Sequence, residues 1–253
     1  MDFDDALEYR PASPEFVHSI FQSALRDCAA QGEADDSVEL RMDTTIDEWL
    51  DAHLEDFFSW RRFARGMNDA FKMNVPMHVW KAAIEPYKQK TLGGVCELIV
   101  ANGVRLAMRP VTVLGNPCLP AGAFFAVKKL LQDNGADVSE LTPSTAIGEF
   151  ARLHPRVFFD SIAQLVPGSL PTPRIQHRAC TMANWCILLS VGMVAAGGFL
   201  GPWLIIIGAP SVLLSYLASH MAAKFVPPSC VEYPGLNSFA DLARALASAG
   251  NTA

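Results

Sequence analysis

Two histidines hold the same place in a pattern that occurs twice. His53 stands four residues before Phe57-Phe58, and His154 stands four residues before Phe158-Phe159. An imidazole titrates near neutral pH and binds metals, so one chemical reading makes the two histidines paired ligands or a base. The structural reading has each pack beside a core phenylalanine pair, and it is favoured because no acid and nucleophile recur together with them. Cys118 lies in the turn-rich run Leu114-Gly115-Asn116-Pro117-Cys118-Leu119-Pro120-Ala121-Gly122, which opens a helix. A helix N-terminus there would favour a thiolate. Cys96 lies on an apolar helical pattern and reads as core. The six cysteines, Cys28, Cys96, Cys118, Cys180, Cys186 and Cys230, are scattered without a CxxC or a histidine at metal spacing. A zinc site and a disulfide framework are therefore not expected, and the thiols read as reduced in a cytoplasm. No GxSxG, P-loop or GxGxxG occurs. The residues assign no catalytic group, no metal and no cofactor.

The elements that must position these residues also repeat. Ala34-Asp35-Asp36-Ser37-Val38-Glu39-Leu40 resembles Ala136-Asp137-Val138-Ser139-Glu140-Leu141. A fixed offset of 101 follows, pairing Thr44 with Thr145, Ile46 with Ile147, Glu48 with Glu149, Trp49 with Phe150 and His53 with His154. Each window follows a predicted helix, 14–31 in one case and 121–134 in the other. Each unit is predicted to end on a hydroxyl-capped amphipathic helix, one after Thr91 and one after Ser238. The expected tail helix, 237–249, folds back onto residues 121–170.

The chain has 253 residues, 51% hydrophobic and 18% charged, with a formal net charge of -6. Residues 179–223 contain no Asp, Glu, Lys or Arg. As one helix they would run about 67 Å, twice the ~30 Å of a bilayer core. Two spans near 181–199 and 203–221 are therefore expected, broken at Gly197-Gly198-Phe199-Leu200-Gly201-Pro202. The basic flanks Arg174, Arg178 and Lys224 would place both termini in the cytoplasm at an inner or cytoplasmic membrane. The acidic start, MDFDDALEYR, has no apolar core and predicts no signal peptide. The alternative for the stretch is a helical hairpin buried in a core.

The run Glu55-Asp56-Phe57-Phe58 through Phe71-Lys72-Met73-Asn74-Val75-Pro76 resembles the second helix of an acyl carrier protein and the loop beyond it. Asp56, Phe71 and Val75-Pro76 match that family's pattern. The modified serine does not, because Phe57 stands in its place and Phe158 in the second unit's. A phosphodiester needs a hydroxyl, so the resemblance implies the fold without phosphopantetheine. It covers residues 14–101 and, more faintly, 121–170 with 231–249.

The expected fold is thus all-α, with two carrier-like bundles, the second interrupted by a transmembrane hairpin. The expected divisions are a first unit at 1–101, a linker at 102–120, a second unit begun at 121–178, the hairpin at 179–223 and a completing tail at 224–253. Residues 33–56 hold ten acids and one base, and residues 57–90 hold seven bases and two acids. The two segments either neutralise one another or form an acidic or basic docking face. Net charge and pI argue against nucleic acid. The partners expected are the lipid bilayer and an unknown protein. The function expected is a membrane-anchored, non-catalytic protein that binds a protein partner. The alternatives are a small membrane enzyme using Cys118 or His53 and His154, and a lipid-surface module using the basic helix 61–72.

Overall fold

The computed structural model describes residues 6–30, 34–35, 37–52, 59–155, 157–176, 188–189, 191, 210–212, 214 and 230–250. The chain divides into two compact parts. One holds Met1–Ala146, Arg156–Thr172 and Pro234–Ala253, and the other holds Ile147–Pro155 and Pro173–Tyr233.

The first part begins with strand β1, Leu7–Pro11, and helix α1, Pro14–Ala30. Ser13 caps α1 by accepting the Phe16 N–H at 3.2 Å. Phe16, Val17, Phe21 and Leu25 recur at helical spacing and are buried. Helix α2, Ile46–Asp51, carries a complete capping box: Thr45 Oγ1 accepts the Glu48 N–H at 3.2 Å, and Glu48 Oε2 accepts the Thr45 N–H at 2.8 Å. Helices α3 (Trp60–Ala70), α4 (Met77–Ile84) and α5 (Leu92–Asn102) complete the bundle, with α5 against α1. Phe21, Trp49, Phe63 and Trp80 form a continuous aromatic row, with ring centroids 5.5 to 5.8 Å apart along it. The Asn68 carboxamide ties the turn after α3 to this core. It donates to the Val75 carbonyl at 3.0 Å and accepts the Trp80 indole N–H at 3.0 Å.

Strand β2, Val104–Met108, returns antiparallel to β1 and places Arg105 opposite Arg10. A hairpin of β3 (Val111–Val113) and β4 (Asn116–Cys118) leads into helix α6, Leu119–Asp133. A π-helical turn, Val157–Ile162, then helix α8, Ala163–Leu165, and helix α9, Phe239–Gly250, belong to the same part. Helix α9 packs along α6 and buries Phe239, Leu242, Ala243 and Leu246. The second part contains helix α7 (Ile147–Leu153) and the antiparallel strands β5 (Arg174–Gln176) and β6 (Cys230–Glu232). Within it α7 packs on β6.

The same backbone bonds form at corresponding places. The Leu92 N–H donates to the Thr44 carbonyl at 2.9 Å and the Gly93 N–H to Met42 at 2.8 Å. The Phe239 N–H donates to Thr145 at 3.0 Å and the Ala240 N–H to Pro143 at 2.7 Å. Isolated antiparallel bridges join Thr45 to Thr91 and Ala146 to Ser238. The Arg41 N–H donates to Thr44 Oγ1 at 2.8 Å, and the Thr142 N–H to Thr145 Oγ1 at 3.0 Å. In each copy, the end of an acidic loop is laid beside the cap of a later helix.

Three exposed carboxylates and the half-buried Asp241 hold these loops and caps. Asp35 is kept below its ordinary pKa by the Ser37 hydroxyl and then its N–H, and Asp137 by the Ser139 N–H and then its hydroxyl. Glu48 is lowered by the N–H and hydroxyl of Thr45. Asp241 is lowered by the Ser238 hydroxyl, then by the Asn237 and Ser238 N–H groups. A carboxyl whose pKa falls on folding contributes its full stability above its unfolded value and loses it as pH falls through the folded value. The urea midpoint is therefore expected to be level near neutrality and to fall below about pH 4. Asp241→Asn is expected to shallow that fall, and an unchanged slope would contradict the assignment.

Two expectations are corrected here. The fold is mixed α/β rather than all-α, because the described residues form three two-stranded antiparallel sheets. Their strands are three to five residues long, and four of the six carry charged side chains, so they have no long apolar run to announce them. The expected transmembrane hairpin is also overturned: no described helix is long and apolar enough to cross a membrane. That finding removes the basis for membrane placement and for assigning both termini to one side. Most of 181–199 and 203–221 lies outside the described residues. Within the second expected span Pro210 lacks the N–H that an interior helical residue donates, a property that the absence of charge does not register.

Candidate functional site

The residues singled out by sequence do not form one cleft among the described residues. His53, Phe57 and Phe58 lie outside the described residues, as do the flanks Arg178 and Lys224. His154 is half-buried just beyond α7, where its N–H donates to the Phe150 carbonyl at 2.8 Å. Phe158 is 1% exposed in the π-helical turn, with its ring centroid 6.4 Å from that of Phe239. The Phe159 side chain is outside the described set. Arg174 is exposed in β5. Cys118 is a half-buried free thiol at the N-cap of α6, and no described side chain hydrogen-bonds to it. Cys96 is fully buried, and burial pushes its thiol up to about 12, which removes it as a nucleophile at neutral pH. No group of three potential metal ligands occurs among the described residues.

The basic segment is organised differently from the acidic one. Helix α3 turns Ala64 into the core and packs Phe63 and Met67 against it. Arg61, Arg62 and Arg65 are exposed, and their i, i+3 and i, i+4 spacings gather them on one side. The Arg61 guanidinium lies 4.7 Å from the Trp60 ring centroid, and Arg65 Nε donates to the Arg61 carbonyl at 3.2 Å. Among the described residues, none of the three has a carboxylate within ion-pair distance. Mutual neutralisation of the two segments is confined, among those residues, to Lys88 and Asp47 at 3.9 Å. Like charges at this spacing disfavour a helix by a few tenths of a kcal/mol. The face is held against that cost by the apolar side of α3.

The C-terminal half of α3 also lines a cleft of about 830 Å³, together with β1, β2, α1, α6 and α8. A second cleft of about 490 Å³ lies beside the start of α1. Phe16, Arg105 and Leu165 belong to both linings. Arg105 is half-buried, and its guanidinium carbon sits 4.3 Å from the centroid of the Phe16 ring. Burial, and then the Arg10 guanidinium across the strand pair, hold its pKa below the ordinary arginine value. Glu8 on β1 serves Arg10 and lies 3.3 Å from Arg109. Among the described residues no carboxylate comes within ion-pair distance of Arg105. Sequence reasoning missed this residue because 102–120 reads as a linker. The available signal was the alternation Val104-Arg105-Leu106, which places an arginine on one face of a short strand.

No known protein family, curated protein or solved structure matches the chain.

Proposed function

We propose that the protein is a binding module that takes an acidic segment of a partner protein on the arginine face of α3. The observation that carries this reading is the cluster of Arg61, Arg62 and Arg65, exposed and without a carboxylate partner among the described residues. In a chain of net charge -6, a concentrated basic face orients an acidic partner and excludes others. The resemblance to acyl carrier proteins supports the same class of role, since carrier-like bundles without the modified serine are left with their surfaces to act through. The apolar burial of Phe158, where that serine would stand in the second unit, agrees with a fold retained for packing.

The test uses the full chain on immobilised poly-L-glutamate at low salt. Retention is expected and should weaken steeply as salt rises. Arg61→Glu with Arg65→Glu is expected to weaken it about tenfold or more, ~1.4 kcal/mol. The thermal midpoint should stay within a degree or two, because both side chains are exposed. Equal retention by the double variant would remove the arginine face as the docking surface.

A further inference from the structure

We propose that Arg105 is the anchor of an anion-binding site on the β1–β2 strand pair, taking the carboxylate or phosphate monoester of a small amphipathic ligand. This site lies apart from the exposed side of α3 and does not depend on the reading given above.

The placement of Arg105 is unfavourable without a ligand. Its Cα faces that of Arg10 in the ladder, and like charges directly opposite one another destabilise a strand pair. Half-burial adds the cost of removing a guanidinium from water. A structural arginine in such a place is normally satisfied by a carboxylate. Glu8 could have met that need, but it engages Arg10 and Arg109 instead. The acids that share the two linings are Asp69, Asp133 and Glu15. Asp133 is held by Lys129 at 2.6 Å, and none of the three reaches Arg105. Among the described residues, the guanidinium lies over the face of Phe16. Stacking fixes the plane of the fork and leaves its edge for a planar or tetrahedral anion.

The surroundings define the rest of the ligand. Phe16, Ile20, Leu130 and Leu165 give the larger cleft an apolar wall beside the guanidinium. Tyr9 stands on the rim, 60% exposed. An anion that carries an aromatic or short aliphatic group can satisfy both surfaces, and a bare inorganic anion can satisfy one. Ligand sites commonly combine an apolar wall with a few placed polar groups in this way.

The experiment is thermal denaturation of the full chain with phenyl phosphate, benzoate, inorganic phosphate and ionic-strength-matched sodium chloride. Phenyl phosphate or benzoate is expected to raise the midpoint by about 2–4 °C at a concentration about five times its Kd. Inorganic phosphate should do less, and sodium chloride should not reproduce the shift. Arg105→Met keeps the stem against Phe16 and removes the charge. Its midpoint without ligand is expected to equal or exceed the parent's, and the ligand shift should vanish. Arg105→Lys keeps a point charge without the fork and should retain only part of the shift. A parent shift no larger than that of salt would overturn the proposal. So would a full shift in Arg105→Met, or a drop in its unliganded midpoint accompanied by an unchanged shift in Arg105→Lys.

Discussion

Phe158→Ser is expected to destabilise the protein by about 4 kcal/mol and to gain no prosthetic group. The substitution restores a hydroxyl where a carrier protein has one. The site it restores is an interior: Phe158 is 1% exposed and packs near Phe239, itself 1% exposed. Removing a buried phenyl ring loses its transfer free energy and leaves a cavity, together about 3–5 kcal/mol, and the buried hydroxyl adds to the loss. A carrier serine must also reach the enzyme that modifies it, and this position does not reach solvent. Chemical denaturation measures the first claim. Intact mass after incubation with coenzyme A and a phosphopantetheinyl transferase measures the second, and an added phosphopantetheine would contradict it. Phe158→Leu separates volume from chemistry and should cost roughly 1–1.5 kcal/mol.

Gly122→Ala carries the second large effect, and its sign is decided by two opposed quantities. In a helix interior, alanine is favoured over glycine by about 1 kcal/mol. At Gly122 in α6, a Cβ would stand 1.9 Å from the Arg109 carbonyl oxygen and 3.3 Å from the Pro110 Cα. Both are backbone atoms, so no side chain can swing aside. Separating them requires α6 to move off the segment that joins β2 to β3, at a cost of ~3 kcal/mol or more. The clash therefore exceeds the propensity gain. Gly66 in α3 provides the opposite case, because a Cβ there meets nothing within 4 Å. Gly66→Ala is expected to stabilise by about 0.5–1 kcal/mol. Denaturation of the two variants side by side measures both. A stabilised Gly122→Ala would show that α6 does not approach Arg109 so closely.

The contrast between these substitutions shows what the residue string carried and what it left out. The hydroxyls at Thr91 and Ser238 were legible because capping uses a short list of residues at fixed spacing, and Thr44 and Thr145 because one offset pairs them. The backbone bonds that recur are made at and beside those positions. The strands were not legible. Leu7–Pro11 and Val104–Met108 are each too short to show a period, and their pairing spans the whole first bundle. The charge-free stretch misled for a different reason. Absence of charge is one property of a membrane span, whereas the length and continuity of a helix are separate ones that composition does not report. The arginine face of α3 was visible as composition, but the absence of a carboxylate beside it among the described residues needed the folded structure. The alternation around Arg105 marks its face of a strand, but its character needed the folded structure, since that comes from Phe16, Glu8 and Arg10, which lie far from it in sequence.

The packing of α9 on α6 sets an order of events during synthesis. Helix α6 ends at Asp133 and its covering helix begins at Phe239. At ordinary elongation rates the intervening residues take roughly 5–20 s to make. Throughout that interval the part of the buried face of α6 that α9 will meet has no final cover, although its own helix is complete. An apolar helix face left open for seconds on a nascent chain is the kind of surface that chaperones hold and neighbouring chains capture. The yield of folded protein should therefore depend on how quickly the last dozen residues of α9 follow, a property invisible in the finished structure's stability.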